Sequence, residues 1–421
     1  MSVFFRPADI LLPDFTKYSG TAWSCVACDQ YTSQPEYWEA ADAVAADAPS
    51  TLRLIIPEVY LSETEARKPN LLAAMEDYLG EVLVEHPDSM ILVERTLRKG
   101  ETRWGLMGAV DLMTYDYRKG ADSLIRATEA TVAERIPART TIRREAPIEL
   151  PHVMMLIDDR GRTVVEPLAA VKDTLPVAYD FDLMQDSGHL TGYFLTPALA
   201  EQVNTALAAL ITPEAMADRY GREGLAPLLF AVGDGNHSLA AAKTCFEEIR
   251  AQIGDEAAMS HPARYALCEV VNLYDDSLQF EPIYRVVFGV DPDHLLASFQ
   301  DYVAGLHGDA APQELLWASN GLTGAMTIPA PVAALTVGTV QDFLDEYLKT
   351  APAGAYVDYI HGRNPTVALA NRPDAIGFLF DGMAKEELFS TVISDGALPR
   401  KTFSMGHAED KRFYTEVRRI K

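Results

Sequence analysis

The chain has 421 residues, enough for about two or three core-bearing units, and its 48% hydrophobic and 23% charged residues are those of an ordinary globular protein. Its 36 basic and 61 acidic side chains leave a formal charge of −25, which repels phosphate backbones and speaks against general nucleic-acid binding. No long apolar run predicts a membrane span, MSVFFRPADILLPDF lacks a signal-peptide cleavage pattern, and cysteines only at 25, 28, 245 and 268 make no disulfide framework; a cytoplasmic protein is expected.

In chain order, WEAADAVAADAP predicts a helix stopping at Pro49, and TLRLIIPEVYL a strand running into a turn. Over 63–85, Leu71, Leu72, Met75, Leu79, Val82 and Leu83 recur at helical spacing. SMILVERTL and WGLMGAVDL suit a strand pair, with KGETR as the hairpin connection. Residues 120–146 are charged and arginine-rich. HVMMLIDD and TVVEPLAA read as strand-like runs around the turn DDRG. A helix is expected over 197–211, then a buried strand in LAPLLFAVG. The helix SLAAAKTCFEEIRAQIG follows, with Leu239, Ala242, Phe246, Ile249 and Ile253 on one stripe and Gly254 as its stop. RYALCEVVNLY and FEPIYRVVFGV are strands joined by DDSLQ, and the tail alternates short helices and strands. The expected fold is α/β or α+β, a mixed-sheet globular protein. Its lobes are expected at 1–275 and 276–421, packed together, or as a single unit.

The chemistry concentrates in GDGNHS, residues 233–238, where the strand should end and the helix begin. A helix start leaves N–H groups without intrahelical acceptors and carries partial positive charge, so phosphates and carboxylates dock there. Gly233 and Gly235 permit positive φ and close approach of a ligand. Asn236 or Ser238 can cap the helix, His237 adds a titratable donor, and Asp234 can bind a metal ion or take a hydroxyl proton. The same string also makes an ordinary capped turn.

CVAC at 25–28 has no second cysteine pair to complete a zinc site and reads as small buried thiols. Asp29, just past that apolar run, is a candidate general base toward a substrate hydroxyl, with Gln30, Tyr31, Thr32 and Ser33 as orienting groups or solvated loop residues. Glu129 lies among Arg126, Arg135, Arg139, Arg143 and Arg144, which line a phosphate pocket or form a solvated helix face. Arg285 alternates with apolar residues and is expected at a strand end facing a site.

Taken whole, the chain resembles the prokaryotic family known as domain of unknown function 1015. The resemblance rests on DGNHSLAAAK, VACDQYTSQPEYW, TEAT at 128–131, VVNLYDDSLQFEPIYRVV and LPRKTFSMGHAEDKRFYTEV, and it spans nearly the full length. It places Asp29 in a motif and implies phosphate contact for Lys401. The Asp-Gly-x-His turn is also similar to motifs of the partition-protein-B/sulfiredoxin superfamily, in which the turn and helix start bind nucleotide or phosphate and some members phosphorylate free serine. The sequence departs from the family's commoner form at Asn236, Ser238 and Thr128, where histidine, arginine and histidine are frequent. Losing the arginine removes a bidentate phosphate partner.

These readings converge on a small-molecule phosphotransferase: a kinase acting on a hydroxylated metabolite such as serine, from ATP, ADP or pyrophosphate, with Mg²⁺ at Asp234. Asp29 or Glu129 takes the hydroxyl proton, with Asp234 and His237 completing the catalytic set. Gly233, Gly235, Asn236, Ser238, Arg285 and Lys401 hold phosphate. A phosphatase or phosphodiesterase with water as acceptor, or a non-catalytic sensor of an anionic metabolite, would use the same residues. The expected partner is a small molecule, not nucleic acid or a membrane.

Overall fold

The computed structural model of the chain describes residues 3–32, 34–129 and 136–421, with the side chains of 136–139 left aside. The chain forms two compact units. One comprises Met1–Ala127, Thr131–Leu278 and His407–Lys421; the other comprises Thr128–Ala130 and Gln279–Gly406.

The first unit is built on a nine-stranded mixed sheet. Its strands run Val177–Asp182, His189–Phe194, Ile91–Thr96, Thr102–Asp111, Tyr265–Asn272, Met154–Ile157, Phe230–Asp234, Ile125–Ala127 and Tyr115–Asp116. The expected hairpin forms: Ile91–Thr96 pairs antiparallel with Thr102–Asp111, and Gly100 takes the positive φ its turn requires. Period-two alternation sends successive side chains to opposite faces. Leu92, Leu106, Val110, Met155, Val232 and Val270 enter one core with Leu239 and Phe246 of the helix Asn236–Ile253. Ile91, Val93, Met107 and Leu267 enter another with Trp38 and Tyr179. Arg95, Arg103 and Glu269 share the parity of this second set, so charged groups lie buried on that face.

The C-terminal tail is woven into the same unit. Phe413–Tyr414 pairs with Cys25–Val26. Val417–Arg419 lies between Ala8–Pro13 and Ile148–Glu149 in a four-stranded sheet completed by Leu83–Ser89.

Helices occupy Pro35–Ala45, Thr64–Glu81 and Pro197–Leu210, within or close to the expected stretches. Two expected strands are absent. TLRLIIPEVYL forms the 3₁₀ turns Thr51–Leu54 and Glu58–Glu63 around Pro57, which has no N–H for a ladder. In TVVEPLAA, Val164 and Val165 are buried, but Pro167 opens a helical turn, Glu166–Ala169.

In the second unit the strands Leu322–Ile328, Gln313–Ser319, Ala375–Leu379, Phe280–Phe288 and Tyr356–His361 form a sheet in that order, with Phe403–Met405 pairing off Phe280–Phe288. Helices Pro292–Ala304, Thr336–Tyr347, Arg363–Ala370 and Lys385–Asp395 accompany it. No helix among the described residues is long and apolar enough to cross a membrane.

Candidate functional site

The strand Phe230–Asp234 ends in the turn that the sequence singled out. Gly235 adopts φ +79°, and a Cβ there would meet Val153 Cα and Cγ2 at 3.0 Å, so conformation and space both require glycine. Gly233 lies inside the strand and is not among the glycines with positive φ, so of the two expected left-handed positions only Gly235 is one. Gly235 is also the N-cap residue of the helix. Asn236 begins the helix and donates from Nδ2 to Val232 O at 3.3 Å, so the N-cap position expected of it or Ser238 falls to Gly235. Asp234 folds back: its Oδ1 accepts the Gly235 N–H at 2.8 Å, while Oδ2 lies 3.4 Å from Lys411 Nζ.

Beside this turn His152 is buried, at 3% exposure. Its Nε2 is 3.4 Å from Ser238 Oγ and 3.8 Å from Asp29 Oδ2, and its Nδ1 is 2.8 Å from the Tyr414 hydroxyl. That hydroxyl accepts the Cys28 N–H at 3.3 Å. Burial, then Cys28 beside it, pushes the Tyr414 pKa well above its ordinary value, so the group remains a hydroxyl. The Cys28 thiol is a weak acceptor and the imidazole nitrogen a strong one, so the hydrogen-bond network assigns the phenol proton to Nδ1. Nε2 then carries the imidazole proton toward Asp29 and Ser238. Gln30 Nε2 donates to Asp29 Oδ1 at 3.1 Å.

A buried ionic knot holds these segments in register. Arg412 pairs with Glu269 and Glu416, and its Nε donates to Pro151 O at 3.2 Å, fixing the residue before His152. Tyr179 donates to Glu416 Oε1 at 2.5 Å, and Ala27 N donates to Arg412 O at 2.9 Å. Removing one member of such a knot leaves an uncompensated buried charge.

Of the expected residues, Asp29, Asp234, Gly235, Asn236 and Ser238 gather around His152 and Lys411, and His237 occupies the half-buried first turn of the helix. His152, Lys411 and Tyr414 were not singled out from the sequence, although LPHVMM and KRFYTEV contain them. Glu129, Arg285 and Lys401 belong to the second unit. Glu129 forms an isolated parallel bridge with Leu398.

Arg285 is not at a strand end facing a ligand. It is fully buried, and its guanidinium bonds Gln341 Oε1 and the carbonyls of Ile283, Arg400 and Lys401. The side chain of Lys401 is exposed, and its carbonyl serves Arg285.

The arginine-lined pocket does not form from the arginines described. Arg126 binds the carbonyls of Ser123, Ala226 and Pro227, Arg143 pairs with Glu149, and Arg144 with Glu248. Ser33, Ala130, Thr131, Arg135 and the Arg139 side chain lie outside the described residues. None of the four cysteines is in a disulfide, all are buried, and burial pushes the Cys25 thiol up to about 12.

Among the described residues no group of three His, Cys, Asp or Glu side chains is arranged to hold a metal. Asp234 already meets an N–H and an ammonium, so a resident cation there would have to displace Lys411.

A family model described as Protein of unknown function (DUF1015) matches residues 13–379. The chain belongs to that family. Among curated proteins nothing matches. Similar solved structures include a conserved hypothetical protein from Pyrococcus furiosus, at 11% identity and TM-score 0.37, covering 74% of this chain and 94% of that one. A free serine kinase in complex with AMP has 11% identity and TM-score 0.38, with coverage of 73% and 90%. SbnI with a C-terminal truncation, from Staphylococcus aureus, has 10% identity and TM-score 0.34, with coverage of 71% and 83%. Likeness at this level carries no argument about activity.

Proposed function

We propose that this DUF1015 protein is a phosphotransferase acting on the hydroxyl of a small metabolite, an amino acid such as serine being the substrate class and ATP, ADP or pyrophosphate the donor. The observation that supports this is the meeting of an acid–base pair, Asp29 and His152, with the start of an 18-residue helix flanked by Lys411. In this reading the transferring phosphoryl group lies against the amides and dipole of the helix start, and the Lys411 ammonium offsets charge developing on its oxygens. The substrate oxygen bonds to phosphorus as the bond to the leaving phosphate breaks, and the hydroxyl proton passes to Asp29. His152 Nε2–H supports that carboxylate, and Ser238 lies within reach of the same nitrogen. Mg²⁺, if used, arrives with the donor phosphates.

The test incubates full-length protein with L-serine and other hydroxylated metabolites and each donor, following products by ³¹P NMR. Asp29→Asn and His152→Gln should lower turnover by about 10²–10⁴-fold, the range for a positioned acid or base. Lys411→Met, Asp234→Ala and His237→Ala should also lower it. Equal turnover in all variants would remove the assignment. Binding without turnover would turn the reading to a sensor, and phosphate release without serine to a hydrolase.

A further inference from the structure

Beneath the strap of residues 407–411 lie two cations that the transfer chemistry does not use. Arg95 and Arg103 are cross-strand partners on one sheet face, at 2% and 4% exposure. Arg95 donates to the carbonyls of Thr96 and Glu409 at 2.9 and 3.0 Å, and Arg103 to that of Asp410 at 2.8 Å. The Nε of each is buried without a partner, and so is Glu269 Oε1 on the same face. Among the described residues neither guanidinium has a carboxylate at ion-pair distance, and Glu269 is committed to Arg412. Burial, then the like charge of Arg103, lowers the Arg95 pKa. Two adjacent buried cations bonded to carbonyls, one of them also over the Phe413 ring, are costly without a paired carboxylate, and in a chain of net charge −25 they are placed against the prevailing sign.

The strap above them is polar. Residues 407–411 read His-Ala-Glu-Asp-Lys, and Ala408–Asp410 form one 3₁₀ turn. Besides the arginine–carbonyl bonds, its side chains are held by a 3.9 Å Arg98–Glu409 pair and the Lys411–Asp234 pair. No large apolar side chain anchors it.

We propose that Arg95 and Arg103 form the floor of a subsite for a compact divalent oxyanion, which enters by displacing the carbonyls of Glu409 and Asp410. Each bond from a guanidinium to an uncharged carbonyl is then exchanged for one to an anionic acceptor, and the idle Nε edges gain acceptors. The subsite stands apart from the transfer reading and holds whether or not turnover occurs.

Hydrogen exchange of peptides covering 407–412 in the full chain tests it, with inorganic phosphate or malonate titrated against chloride at matched ionic strength. A response to phosphate alone identifies a phosphoryl ligand, and a response to malonate a dicarboxylate. Either anion should raise strap exchange at least fivefold in wild type. Arg95→Lys and Arg103→Lys, which keep the charge but lose the planar fork, should move the midpoint at least tenfold higher. No response to either anion in wild type overturns the subsite, as does a midpoint that both variants leave in place. A response abolished by Lys411→Met yet untouched by Arg103→Lys belongs to the helix start, and overturns the subsite while leaving the transfer reading intact.

Discussion

Tyr414 and His152 stand 2.8 Å apart, hydroxyl to Nδ1, with 261 residues between them in the chain. Because the phenol also takes the Cys28 N–H, its own proton is left for the imidazole, and the tautomer of His152 is set by a residue seven from the C-terminus. Tyr414→Phe keeps the ring in its slot and removes only that donor. Turnover should fall about 10–100-fold, the cost of losing an orienting partner behind a functional histidine. ¹⁵N spectra of the imidazole should show a single Nε2–H tautomer in wild type and a mixture in the variant. Identical spectra would mean that the phenol does not set the tautomer.

Gly235→Ala tests the turn. The left-handed φ costs a Cβ-bearing residue about 1–2 kcal/mol, and the contact with Val153 adds to it. Gly221→Ala is the natural control, since Gly221 is also left-handed, at φ +66°, but has nothing within 4 Å of its added Cβ. Urea unfolding should show Gly235→Ala to be the more destabilised by about 1 kcal/mol or more, as overpacking demands. Val153 follows His152 in the chain, so Gly235→Ala should also depress turnover while Gly221→Ala does not. Equal losses in the two would place the whole cost in the backbone.

How far the sequence reveals this site depends on distance along the chain. The turn at 233–238 was legible because a buried strand, two glycines and an alanine-rich helix adjoin, and local pattern carries that information. The hairpin at 91–111 and the helix at 236–253 were legible for the same reason. His152 was not: one histidine before an apolar run reads as a core residue until Asp29, Ser238 and Tyr414 are brought to it. Lys411 and Tyr414 stand among basic residues, a local pattern that by itself suits a solvated face, whereas Arg412 and Arg418 are buried against Glu269, Glu416 and Glu149. Arg285 misled in the opposite direction. An arginine alternating with apolar residues can face a ligand or bind carbonyls in a core, and only the long-range partners decide which.

The tail that delivers Tyr414 is tied down by Glu149. Its carboxylate is buried between Arg143 at 2.6 Å and Arg418 at 2.8 Å, and accepts the Leu267 N–H at 3.0 Å. Burial alone would raise its pKa, but Arg418 and Arg143 outweigh it and hold the pKa below the ordinary carboxylate value. A folded-state pKa below the unfolded one gives stability that is present above the unfolded pKa, and is lost as pH falls through the folded one. Glu149→Gln should therefore cost about 3–5 kcal/mol at pH 7, because the buried Arg418 and the half-buried Arg143 lose their counter-charge. Urea titrations at pH 7 and pH 3 should show the gap narrowing at the lower pH. A gap of constant size would make the loss one of packing rather than charge.

His189 gives the opposite pH dependence. On the hairpin of Val177–Asp182 and His189–Phe194, its Nε2 is 2.6 Å from Asp180 Oδ1 and its Nδ1 2.7 Å from Asp182 Oδ1. Partial burial lowers the imidazole pKa, but the hydrogen bonds to Asp182 and Asp180 prevail and raise it above 6.5. A raised folded-state pKa gives stability that is complete below the unfolded pKa, and disappears as pH rises through the folded one. His189→Gln should thus lower the melting temperature at pH 5.5 and leave it unchanged at pH 9. The effect should stay below about 1 kcal/mol, because both carboxylates are exposed, and should shrink further in high salt. An NMR titration of the His189 ring with a midpoint at or below 6.5 would show that the two aspartates do not hold the proton.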